Sequence, residues 1–179
     1  MCQYGGTTRK LCQIENCKEC FEASFSSSHR ANCWSSKNNK LARQVFKGAD
    51  TKYYFNCNEC KHEFLSKPKH IKASNSWCPF CASQQFCEND ECNQCYEKSF
   101  ASHPKSKFWS KKNEKLPGEY FKSSDKEAYF TCNVCNHDFL SKISNISGSN
   151  NWCSYCSNKK KCSLKDCVSC LKLKNIKII

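Results

Sequence analysis

The cysteines of this chain recur at an interval of 75 residues without a slip. Cys12, Cys17, Cys20, Cys57, Cys60, Cys78 and Cys81 return as Cys87, Cys92, Cys95, Cys132, Cys135, Cys153 and Cys156. The first three return again as Cys162, Cys167 and Cys170. More than half of the other positions differ between the two copies, and within the copies only Cys33 lacks a counterpart. Sulfur spacing held while the intervening residues change is what a metal-stapled module used in tandem requires. The predicted organisation is a remnant of a preceding repeat at residues 1–10, a first repeat at 11–85 and a second at 86–160. Residues 161–179 make a partial third repeat ending in a strand-like tail.

Composition bears on whether these cysteines bind metal or form disulfides. Nineteen of 179 residues are Cys, an odd number. The opening MCQYGGTTRK has no apolar run of the kind a secretory signal needs. Ordinary core residues are few, and a 75-residue unit with so little to bury needs a staple. Zinc in a reducing compartment is therefore expected: cytoplasm, nucleus, viral factory or virion interior, with no secretion and no membrane span. The formal net charge of +13 suggests an acidic partner. Zinc-bound thiolates reduce it to about +7 once two four-cysteine and two three-cysteine sites are filled. The basic residues are nearly all Lys, with Arg only at Arg9, Arg30 and Arg43, so bidentate reading of base edges is not indicated.

Cys57-x2-Cys60-x17-Cys78-x2-Cys81 is the strongest motif, repeated as Cys132, Cys135, Cys153 and Cys156. Each C-x-x-C makes a tight turn that aims two thiolates at one ion, and two such turns complete a tetrahedron, the spacing of a zinc ribbon or treble clef. A closed set of four thiolates leaves no coordination position for water or substrate. His62 and His137 follow filled knuckles and read as core or supporting residues. The triplets supply three thiols each and need a fourth ligand. For Cys12, Cys17 and Cys20 that is His29, with Cys33 as the alternative. For Cys87, Cys92 and Cys95 it is His103, and Cys162, Cys167 and Cys170 form a partial site that must borrow one. About four zinc ions are expected, or five with the last triplet filled.

The expected fold is a small zinc-stapled α+β class: tandem treble-clef or zinc-ribbon repeats with short β-hairpins and short helices, elongated. Aromatic strands at Tyr53-Tyr54-Phe55 and Tyr129-Phe130 lead into the knuckles, and one short helix is expected after each last C-x-x-C. Tyr54, Phe55, Phe64, Trp77 and their counterparts read as the small core. If the six-residue steps from Cys81 to Cys87 and from Cys156 to Cys162 are helical, each spans about 9 Å and makes a stiff joint. No Gly-rich phosphate loop, H-E-x-x-H or nucleophile elbow is present, so no enzyme is expected.

Cys57-Asn-Glu-Cys60-Lys-His62-Glu-Phe64, followed by Trp77-Cys78-Pro79-Phe80-Cys81, resembles the probable zinc-ribbon, treble-clef repeat family. That family's pattern is a C-x-x-C-x-H-x-F/W knuckle, a polar loop, then W/G-C-P-x-C. Cys132 to Phe139 and Trp152 to Cys156 match it again, with Ser154 where the family favours Pro. The triplet and the Ser-Phe, His-Pro and Trp elements resemble longer versions found in large DNA viruses. Some relatives carry such arrays beside nuclease domains, where DNA binding is presumed, but no nuclease portion accompanies the repeats here. The resemblance and the closed sites together imply a non-enzymatic structural or protein-interaction component, a rigid strut with protein partners in a larger assembly such as a virion. The alternative is a sequence-tolerant nucleic-acid binder using Lys159, Lys160 and Lys161.

Overall fold

Alternation of side chains along Tyr53–Asn56 sets the frame of the first unit. In the computed structural model, which describes residues 10–12, 14, 16–71, 77–148, 152–163 and 167, Tyr53 and Phe55 are buried on strand β1 (Tyr53–Asn56) while Tyr54 and Asn56 face outward. β1 pairs antiparallel with β2 (Glu63–Ser66), with Tyr53 opposite Ser66 and Phe55 opposite Phe64. The turn between them is the first C-x-x-C. The Cys57 amide donates to the His62 carbonyl at 2.9 Å, and the Lys61 amide to the Cys57 carbonyl at 2.9 Å. Lys61 closes the turn at φ 58°, in the left-handed region. In the second unit Asn136 does so at φ 54°, and Asn tolerates that conformation better than most residues.

The chain divides into two compact units, residues 1–87 and 88–179. The first holds helix α1 (Lys18–Ala23), three 3-10 turns and the β1–β2 hairpin, with a further 3-10 turn at Pro68–His70. The second holds α2 (Asn93–Lys98), three 3-10 turns, the hairpin of β3 (Glu127–Thr131) and β4 (Asp138–Lys142), and α3 (Ile143–Gly148). Phe130 faces Phe139 in the second hairpin as Phe55 faces Phe64 in the first.

The polar loop that follows each triplet helix returns to the hairpin edge. Trp34 bridges to Phe55 and Trp109 to Phe130. The Ser35 amide donates to the Tyr54 carbonyl at 3.1 Å, and the Ser110 amide to the Tyr129 carbonyl at 3.0 Å. Each edge strand thus gains a partner in place of open backbone groups. The Trp indoles are fixed by donating to Lys40 and Lys115 carbonyls, each at 2.9 Å.

The cores are aromatic. In the first unit Phe25 and Phe55 meet edge to face with centroids 5.3 Å apart, and Phe64 meets Trp77 at 5.2 Å. In the second, Phe100, Phe130, Phe139, Ile143 and Ile146 are buried, with Trp109 and Trp152 packed against them. Tyr54 and Tyr129 do not join these cores. They remain 38% and 39% exposed, because a period of two puts them opposite Tyr53 and Phe55, or Ala128 and Phe130, on the outward face.

The helix expected after each last C-x-x-C is absent among the described residues. One turn forms there, with the Ala82 amide bonded to the Cys78 carbonyl at 2.9 Å and the Ser157 amide to Cys153 at 3.1 Å. Ser83 (φ 54°) and Asn158 (φ 58°) then leave the helical region. The segment from Cys81 to Cys87 accordingly contains no helix. The helices lie instead within the triplets, with Cys17 and Cys92 at their N-caps, and after β4. Among the described residues no helix is long and apolar enough to cross a membrane. The N-terminal remnant, apart from Lys10, and the strand-like tail lie outside the described residues.

Candidate metal centres

The hairpin carries Cys57 and Cys60 in its turn, and the chain returns through Trp77 to present Cys78 and Cys81 opposite. The four sulfurs lie within 4.8 Å of one another. Cys57 and Cys81 sulfurs are 3.6 Å apart, Cys60 and Cys78 3.5 Å. In the second unit Cys132 and Cys156 are 3.7 Å apart, Cys135 and Cys153 3.5 Å. A disulfide needs about 2.05 Å, whereas a tetrahedron of thiolates at about 2.3 Å from zinc has edges of about 3.8 Å. The sulfur separations of both donor sets therefore fit zinc and not a disulfide.

The protonation of these thiols follows from their crowding. Burial opposes ionisation of Cys57, but the amides of Cys60 and Glu59 and the neighbouring Cys60 and Cys81 thiols outweigh it and lower its pKa. Cys132 is lowered in the same way by the amides of Cys135 and Val134. Burial then pushes Cys78 and Cys135 up to about 11, and raises Cys60 and Cys156 as well. Cys57 and Cys132 thus give up a proton more readily than Cys60, Cys78, Cys135 and Cys156. A divalent cation overrides that difference by supplying the charge that four thiolates need.

The triplets are arranged differently. Cys12, Cys17 and Cys20 come together within 4.8 Å. The Cys12 amide donates to the Cys20 sulfur at 3.3 Å, and Arg43 ties this loop down by donating to the Ile14 carbonyl at 3.1 Å. His29, which the sequence reading put at this site, is exposed and in no ligand group among the described residues. Cys33 is also absent from it. Its buried thiol sits beside Cys57 and the Asn58 amide, with its pKa raised by burial. Phe108 occupies the matching position of the second copy and packs on Trp152 at 5.4 Å, so the position is a core position in both units.

His103 is likewise not brought to the cysteines. It stacks on Phe100 at 5.2 Å and caps the 3-10 turn Pro104–Phe108, its Nδ1 accepting from the Lys105 amide at 3.2 Å. Pro104 starts that turn immediately after the histidine and commits the ring to capping. Cys92 and Cys95 lie within 4.8 Å of each other in the second unit. Cys162 and Cys167 are grouped with His137, a residue the sequence reading assigned to the core. The signal that could have found it is the C-x-x-C-x-H run present in both copies, together with the lack of any His after Cys162. Cys170 lies outside the described residues.

Two knuckles closing four thiols beside a short hairpin define a zinc-stapled module. The description "probable treble clef zinc finger domain" matches residues 30–84 and 105–159, and the chain belongs to that family. The two matches cover more than half of the chain and keep its 75-residue register. An uncharacterized protein of Acanthamoeba polyphaga mimivirus is 33% identical over 155 residues, which cover 84% of this chain and 38% of that protein. The chain thus spans under two fifths of its relative's length. The protein binds zinc, with clusters for about four ions.

Proposed function

We propose that the chain is a non-enzymatic structural and protein-interaction component of a large DNA virus, a tandem zinc-stapled scaffold associated with the virion. Zinc is held by Cys57, Cys60, Cys78 and Cys81, and by Cys132, Cys135, Cys153 and Cys156. The observation that carries this reading is the closure of both groups: four thiols fill the tetrahedron, so the metal's role is folding energy. The mimivirus relative supports the viral setting. A surface for a protein partner is offered twice. Tyr54 stands opposite Leu65 and Tyr129 opposite Leu140 on the outward face of each hairpin, all four side chains exposed.

Nucleic-acid binding is the second reading, favoured by the net charge of +13 and by Lys159, Lys160 and Lys161, all exposed. A salt series with the zinc-loaded chain and generic duplex and single-stranded DNA separates the two. The scaffold reading expects negligible binding at physiological salt. Micromolar binding that weakens steeply with ionic strength, and is lost when the three lysines are replaced by Ala, would overturn it.

A further inference from the structure

We propose that His137 is a zinc ligand, the knuckle histidine of one hairpin closing the metal site of the cysteine triplet that follows it. This inference deepens the zinc-scaffold reading and rests on it. The His137 Nε2 lies 3.1 Å from the Cys162 sulfur and 3.3 Å from the Cys167 sulfur. A single hydrogen bond links one nitrogen to one sulfur. Two sulfurs converging on the same nitrogen form a face of a coordination polyhedron, whose N···S edge around zinc is about 3.6 Å.

The ring is placed by the same knuckle turn that presents Cys132 and Cys135 to the four-thiol group. Asn136 turns left-handed immediately after Cys135, and the His137 carbonyl accepts the Cys132 amide at 2.9 Å, which fixes the backbone of residue 137 at the exit of the knuckle. The imidazole then stacks on Tyr155 at 4.6 Å and 27°. A neutral imidazole held in one orientation is a standard zinc donor. Cys132, Cys135, Cys153 and Cys156 already complete their own set, so His137 has no place there. The triplet, by contrast, offers three thiols by its own spacing, and among the described residues His137 is grouped with two of them.

The first unit repeats the first half of this arrangement. His62 stacks on Phe80 at 4.3 Å and 19°, and its ring nitrogen lies within 4.8 Å of the Cys87 sulfur. His62 and Cys87 hold the register of His137 and Cys162 one repeat earlier. The same feature thus appears twice, on different neighbouring residues.

The test uses the full chain loaded with zinc and labelled with 15N at histidine. Long-range 15N–1H correlations report each ring nitrogen as protonated, free or metal-bound. The expected result is a metal-bound Nε2 and a protonated Nδ1 for His137, with His29 and His103 showing no metal-bound nitrogen. His137→Phe, which keeps a ring to stack on Tyr155, should lose one zinc per chain, while His103→Phe loses none. A His137 ring with no metal-bound nitrogen, or an unchanged zinc count in His137→Phe, overturns the inference and leaves the four-thiol scaffold standing. A chain that takes up no zinc overturns both readings.

Discussion

Within the first unit, Cys57, Cys60, Cys78 and Cys81 arrive from the two ends of one hairpin module, whereas Cys12, Cys17 and Cys20 lie on one loop and one helical turn. The first group is complete where it stands. The second holds three thiols, and its helix α1 buries only Cys20. A closed site fed by both ends of a hairpin staples the strands it joins. A three-thiol site depends on a donor from elsewhere and adds little core of its own. The hairpin half should therefore carry most of the unit's stability, and the triplet half should follow it.

The sharpest way to break that comparison is to remove one thiol from each half. Cys57→Ser should release one zinc and unfold the first hairpin, since a structural zinc contributes on the order of 10 kcal/mol or more to a domain of this kind. Cys12→Ser should cost one weaker site and leave β1 and β2 paired. Zinc counts and the amide signals of Phe55 and Phe64 read both outcomes. Equal loss of dispersion in the two variants would show that the halves fold as one.

Phe55 is where the halves meet, 5.3 Å from Phe25 on the triplet side and 6.1 Å from Phe64 on the hairpin side. Phe55→Ala should destabilise the unit by about 3–5 kcal/mol, the usual cost of emptying a buried aromatic site. Leu41→Ala, at a side chain 70% exposed, should stay within about 0.5 kcal/mol. Denaturant unfolding at fixed zinc measures both. A mild Phe55→Ala would mean that zinc alone holds the hairpin.

What the sequence made legible was the part encoded locally. Cys57-x2-Cys60 and Cys78-x2-Cys81 each specify a turn, and two turns of fixed internal geometry specify a tetrahedron whatever lies between. The triplet's partner was not legible in this way. A search forward from the cysteines finds His29 and His103, while His137 precedes Cys162 by 25 residues and reaches it only once the hairpin has folded. The outward turn of Tyr54 is not legible in this way, because three successive aromatics do not announce which of them face inward. The pairing of Tyr53 with Ser66 settles that, and it depends on where the knuckle turns. The missing helix after Cys81 has a similar cause, since nothing in Ala82-Ser83-Gln84 forbids a helix except the left-handed turn that Ser83 takes.

Acidity should separate the halves more gently. Burial holds Cys78 at about 11 and raises Cys60, so both are protonated at neutral pH before metal enters. Zinc entry then displaces at least two protons at that site. Its apparent affinity should fall about 100-fold for each unit by which pH drops, and rise equally as pH increases. Competition with a chelator from pH 6 to pH 8 gives the slope. A slope of one proton or fewer would mean that the thiols are already ionised in the metal-free chain.

A smaller effect than that of Phe55→Ala is expected at the loop that joins the halves. Asn38 pairs with the backbone of Tyr54 as a strand would, its amide donating to the Tyr54 carbonyl and its carbonyl accepting the Tyr54 amide, both at 2.8 Å. Asn113 and Tyr129 repeat the pair at the same two distances. These side chains continue along the hairpin edge the pairing that Ser35 and Ser110 begin. Asn113→Ala should cost about 1–2 kcal/mol, because water at an exposed edge partly replaces its two bonds to Tyr129 and its donation to the Ser110 carbonyl. Asn113→Asp should cost at least as much, because a carboxylate accepts the Tyr129 amide but cannot donate to its carbonyl. Hydrogen exchange at the Tyr129 amide should quicken in both variants while the amides of Phe130 and Cys132 keep their protection. Exchange quickened throughout β3 would mean that the loop holds the strand in place rather than covering its edge.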